Sequence, residues 1–283
     1  MRYMDGRRGG RDKRVIPGFG LCMGGTLLFL SLFIFIPLAS VMVYTLKLTP
    51  REFLSVLTAP NVIHAARTSV LCSLFAALIN TIFGLILSWV LVRYEFPGKR
   101  IMDGIIELPF ALPTAVAGIT LSKLYSDTGI LGRILALFGI RVAYTKWGIT
   151  IALIFIGIPF AVRAIQPVLE QLDPQYEEAA CILGAGSFYR FRKVILPELF
   201  PAMLTGFGLA FARGIGEYGS VIYISGNHAR EQTQVISYVI MQKLNYADYK
   251  GAAAIALMML LLSFVLLFLV NLLQMFQTKR TSP

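Results

Sequence analysis

The sequence predicts an all-α polytopic membrane protein with six transmembrane helices, and three observations carry that prediction. Hydrophobic residues fill 57% of the 283 positions and charged residues only 14%, far more apolar than a water-soluble domain of this length. Six windows, roughly 19–46, 68–92, 105–124, 148–165, 201–224 and 252–276, are each apolar for about the 20 residues a helix needs to cross a bilayer. The basic residues divide unevenly between the connecting stretches. The N-terminus, residues 93–104, residues 163–200 and the C-terminus carry 15 Lys and Arg against 10 in the opposite loops, and Arg213 falls inside a window. An even number of spans puts both termini on one side, and the basic excess assigns that side to the cytoplasm.

The formal net charge of +11 is accounted for by such loops, and no nucleic-acid-binding module accompanies it. Arg7, Arg8, Arg11, Lys13 and Arg14 precede the first window in the manner of a signal peptide. The run from Leu21 to Leu46 is too long for one, so a retained first span is expected. Cys22, Cys72 and Cys181 have neither disulfide nor zinc spacing and read as small buried hydrophobes.

The third window contains LPFALPTAVAG, with Pro109 and Pro113 four apart and Gly118 following, so a kinked span is expected there, able to shape a pathway or simply to pack. Glu107 falls near the inner boundary of that window, as a helix-end or partner contact. Tyr144 and Trp147 precede the fourth window, where interfacial aromatics are common. In the external segment 225–250, Val235, Ile236, Val239 and Ile240 stand at helical spacing and predict an amphipathic helix lying on its own membrane helices.

The longest polar excursion of the C-terminal half runs from Asp173 to Pro201. Asp173 followed by Pro174 is a helix start, Glu177 and Glu178 suit the positive end of the dipole, and Gly184 is placed to end the helix. Tyr176, Ala179, Ala180 and Leu183 form one stripe centred on two alanines, which permits close approach by another surface. Ser187 is placed to cap a second, basic helix carrying Arg190, Arg192 and Lys193, with Pro197 and Pro201 ending it and opening the fifth span.

In the fifth window, GLAFARGIGEYGS sets Arg213 near mid-span with Glu217 four residues on and Tyr218 beside it. An intramembrane charge is a functional candidate, and the spacing allows a mutual ion pair acting in structure or gating. No GxxxxGK[ST] phosphate loop is present, so ATP would have to be hydrolysed elsewhere; His64 and His228 belong to no HExxH.

Glu178-Ala179-Ala180, then Gly184, then Val194, Leu196 and Pro197 resemble the EAA signature of ABC importer membrane subunits, with Val194 where isoleucine is usual. From about Ile101 to Asn227 the chain resembles the T-type permease subunit of sulfate/thiosulfate importers. The resemblance implies type I permease architecture. The windows and the charge bias give a basic cytoplasmic arm at 1–18, a transmembrane domain at 19–276 and a cytoplasmic tail at 277–283, and the resemblance implies that the loop 166–200 carries the coupling helix. It further implies residence in the cell inner membrane, a second permease subunit, a cytoplasmic ATPase dimer holding ATP and Mg, an external sulfate-binding protein, and no cofactor in this chain. ATPase coupling falls to Tyr176, Glu178, Ala179, Ala180, Leu183, Gly184, Leu196 and Pro197, and pathway or gating roles to Pro109, Pro113, Arg213, Glu217 and Tyr218. A molybdate or tungstate permease is the rival within that class, and an ion-coupled secondary transporter, for which no internal repeat is seen, the rival outside it.

Overall fold

The computed structural model describes residues 19–281. The expected basic arm at 1–18 and the last two residues of the expected tail lie outside them. Helix α1 (Phe19–Leu30) continues through a π turn at Ser31–Phe35 into α2 (Ile36–Leu46), making one span. Short α3 (Pro50–Leu57) starts on a capping box: the Thr49 hydroxyl accepts from the Glu52 N–H, and the Glu52 carboxylate accepts from the Thr49 N–H. Helix α4 (Pro60–Arg93) is the longest of the set, at 34 residues.

The third window is not a kinked span but two helices, α5 (Lys99–Ala111) and α6 (Thr114–Tyr125), meeting at 110°. Pro109 sits inside α5 and is buried, whereas Leu112 is extended and Pro113 serves as N-cap of α6. The break therefore falls at Pro113, because the residue before a proline is driven out of the helical region. The pair still carries the chain across: Leu91 of α4 packs beside α5, and α6 leads to α7 (Ile130–Ala136) and the start of α8 (Lys146–Glu170). Counting the bent pair as one span gives six, with five single helices long and apolar enough to cross.

Helix α9 (Pro174–Ile182) follows, and then α10 (Ser187–Arg190) runs through a second π turn, Phe191–Ile195, into α11 (Leu196–Ile215) without interruption. Pro197 and Pro201 thus do not end the basic helix as expected. A proline two residues beyond each π turn explains the shared device: the wider turn makes room where the ring would strike the preceding carbonyl. Ser187 is not the cap either; Gly186 holds that position. The fifth window breaks at Gly216–Tyr218 and resumes as α12 (Gly219–Ile224), before α13 (Ile236–Asn245) and α14 (Tyr249–Thr281).

Helices α4, α8 and α11 pack mutually at the centre, with α13 and α14 closing one side and α2 lying against α14. The packing is inverted relative to a water-soluble bundle. On α4 most of the buried positions are small or polar, among them Ser69, Ser73, Ala77, Asn80, Gly84 and Ser88, while Phe75, Ile82, Phe83 and Ile86 of the same helix are exposed. Helices surrounded by lipid gain nothing from hiding large apolar side chains from one another, and small side chains let their backbones approach. Tyr44 of α2 lies against Tyr249 of α14 at one end, and α2 and α14 run antiparallel from there. Phe19 and the end of α14 consequently lie at the same end of the bundle as α9.

The amphipathic prediction for 225–250 holds: Val235, Ile236 and Val239 are buried and Ile240 packs beside them, with the Ser69 hydroxyl accepting from the Ile236 N–H. Of the three cysteines only Cys72 is buried; Cys22 and Cys181 are exposed, contrary to expectation. Cys22 stands on α1, which has no buried residue, and Cys181 on α9, which likewise has none.

Candidate coupling loop and translocation residues

The Asp173 carboxylate accepts from the Gln175 N–H and starts α9, with Pro174 in its first turn. At the other end the Ala185 N–H reaches the Ala180 carbonyl and the Gly184 N–H the Cys181 carbonyl, a Schellman closure with Gly184 at φ +82°. The stripe foreseen from the sequence is present and uncovered: Tyr176 is 62% exposed and Leu183 86%. Glu178 and Ala179 are exposed, and Ala180 is half-buried. Ile182, Phe188 and Tyr189 extend the same exposed apolar surface. Ala180, Leu183, Gly184, Ala185, Gly186 and Tyr189 line a hollow of about 500 Å³ between the two short helices. Leu196 and Pro197 stand beyond the second π turn, at the head of α11.

A contact that sequence reasoning missed ties the loop to the bundle. Arg93, the last residue of α4, forms an ion pair with Glu177, and its guanidinium also lies over the Trp89 ring at 5.3 Å. Trp89 meets Phe191 of the second π turn edge-on at 5.4 Å. The available sequence signal was a lone arginine and tryptophan four residues apart at the end of the second window.

Arg213 is in the last turn of α11 rather than at mid-span, and Glu217 follows in the turn beyond it. The expected pair forms nonetheless, with Nη1 to Oε2 at 2.5 Å; the carboxylate is almost wholly buried and the guanidinium about a third exposed, at 36%. The other carboxylate oxygen accepts from the Ser220 N–H, so Glu217 also caps α12, and its carbonyl accepts from the Ser237 hydroxyl. A buried carboxylate is tolerable only with such compensation.

The breaks of the third and fifth windows meet. A Cβ on Gly219 would stand 2.2 Å from the Thr114 hydroxyl, and one on Gly118 would stand 2.3 Å from the Ser220 carbonyl oxygen. Pro113, Glu217 and Tyr218 therefore flank one junction between the starts of α6 and α12. Pro109 is not part of it: it is buried within α5, the helix that packs on α8. Glu107 finds a partner within the chain. Together with Asp103 it pairs with Arg163 of α8, at 2.6 and 2.9 Å, and Arg163 also donates to Gln166. That three-charge cluster joins two windows and was not foreseen from either.

Comparisons place this geometry. The model of the family described as binding-protein-dependent transport system inner membrane component matches residues 80–282. The chain is 47% identical over 263 residues to the Sulfate transport system permease protein CysT of Salmonella typhimurium, covering 93% of this chain and 95% of that one. It is 42% identical over 249 residues to the protein of that name from Synechococcus elongatus, covering 88% and 89%. In fold it is similar to a crystal structure of a bacterial ABC transporter involved in import of the acidic polysaccharide alginate. That match has a TM-score of 0.77 at 16% identity, over 94% of this chain and 96% of that one. A multi-pass bundle with a protruding capped helix, matched over most of its length in sequence and fold, belongs to the family of binding-protein-dependent transport system inner membrane components.

Proposed function

We propose that this chain is the permease subunit of an ATP-driven importer that moves sulfate, and thiosulfate with it, into the cytoplasm by alternating access. The observation that carries the mechanism is the uncovered apolar surface of Tyr176, Ile182 and Leu183 on the firmly capped α9, continued by Phe188 and Tyr189 of α10. Exposed apolar side chains on a rigid element are a docking face, and here the occupant is a cytoplasmic ATPase dimer that holds ATP and Mg. The sulfate assignment is supported by similarity to sulfate transport system permease proteins at 47% and 42% identity. A second permease subunit completes the channel, an external sulfate-binding protein selects the anion, and both termini lie in the cytoplasm. This chain needs no cofactor and no nucleotide site of its own.

In this reading ATP binding closes the ATPase dimer and moves α9 as a rigid body; the membrane helices follow, and hydrolysis resets them. Sulfate passes the junction of α6 and α12. There Arg213 presents a partly exposed guanidinium already neutralised by Glu217, an attraction weak enough for release. Reconstitution of the chain with its co-purifying subunits in proteoliposomes tests this: sulfate uptake should require ATP and the sulfate-binding protein. Uptake by this chain alone, indifferent to ATP, would overturn the proposal in favour of a secondary transporter.

A further inference from the structure

Helix α9 has nine residues, none of them buried, so its rigidity rests on its caps and on what ties it to the bundle. On its C-terminal side the chain turns through Gly184 at φ +82° and Gly186 before α10, a backbone that glycine leaves easily bent, and α9 touches the second π turn only lightly. Among the described residues, the ion pair of Glu177 with Arg93 is the one that α9 makes. Arg93 ends α4, the 34-residue helix packed against both α8 and α11. Its guanidinium is held from behind by the Trp89 ring, and Trp89 also braces Phe191, so both arms of the loop bear on the same end of α4. Both partners are partly withdrawn from solvent, with side chains 29% and 20% exposed, so the pair is less screened than a free surface pair.

We infer that Arg93 is a positioning residue for energy coupling: through Glu177 it straps the docking helix to α4, so that displacement of α9 is delivered to the central α4–α8–α11 core and not dissipated at the glycine turn. The inference rests on the reading of α9 as the ATPase-docking helix. Arg93 itself stands outside the exposed docking surface, so its loss weakens transmission without removing contacts to the ATPase.

The test uses the complete importer in proteoliposomes and reads sulfate imported per ATP hydrolysed. Arg93→Gln and Glu177→Gln should each lower that ratio at least about fivefold, the size of a modest coupling free energy, while ATP turnover persists. Arg93→Lys, which keeps the charge but not the planar fork, should retain an intermediate ratio, and the swap Arg93→Glu with Glu177→Arg should restore most of the wild-type value. A ratio unchanged in Arg93→Gln, or a charge swap no better than the single variants, would overturn the strap. If Arg93→Gln fails to assemble with the ATPase, the swap alone decides: assembled and coupled supports the strap, anything else rejects it. Wild-type uptake that ignores ATP would instead sink the parent reading, so the two failures are distinguishable.

Discussion

At the scale of single residues, the most costly group to bury is the Glu217 carboxylate. It is tolerated because Arg213 and the Ser220 N–H both reach it. Arg213→Ala would leave it buried and half-compensated, so the variant should lose up to about 3 kcal/mol, the low end for breaking a buried pair since Arg213 is partly exposed. Thermal unfolding of the purified protein checks this, and adding Glu217→Gln should recover part of the loss. Asp248 shows the opposite situation, at an exposed turn between α13 and α14. Hydrogen bonds from the Lys243 ammonium and the Gly251 N–H hold its carboxyl below the usual carboxylate range. Its folded value lies under its unfolded one, so its stabilisation is complete above the ordinary aspartate value of about 3.9 and fades as pH falls through the depressed value. Asp248→Asn should abolish that part of the acid sensitivity, seen as amide protection factors at the start of α14 that no longer fall on acidification. The Arg213–Glu217 pair was legible in the sequence because both partners lie on one turn. The Arg163 cluster was not, since its acids arrive from another helix.

At the scale of elements, α9 was the most readable part of the chain. Its cap, dipole charges and terminal glycine are all local signals, and each is met in the structure. What confines position 184 to glycine is its backbone angle, not crowding, because a Cβ there would meet nothing within 4 Å. Gly184→Ala should therefore cost about 1–2 kcal/mol of local stability, lower sulfate imported per ATP, and be partly relieved by Gly184→Asn. Equal effects of alanine and asparagine would show that the left-handed turn is not the cause. The continuity of α10 into α11 misled sequence reasoning for a physical reason: Pro197 signals a helix end, yet the π turn at Phe191–Ile195 absorbs it. A second capping signal, Thr49 with Glu52, was plain in the sequence and went unused.

At the scale of the whole molecule, hydropathy placed the six crossings but not their integrity. Four windows are whole helices, whereas the third and fifth each break and bring their broken ends together at Gly118, Gly219 and Thr114. A junction of that kind requires backbone approach closer than any side chain would allow, which is what the glycines supply. The exposed apolar girdle and the inverted core together describe a molecule whose outer faces suit lipid. The prediction that belongs at this scale is the ATP dependence of uptake by the reconstituted complex.

By itself the sequence determined the fold class, the number of crossings and the caps of α9, because hydrophobic length and capping are properties of neighbouring residues. Only the tertiary structure decided that Arg93 grips Glu177, that Arg163 gathers Asp103 and Glu107, and that the breaks of the third and fifth windows share one junction. Those contacts join residues dozens of positions apart, and their partners are chosen by how the helices pack rather than by any local pattern.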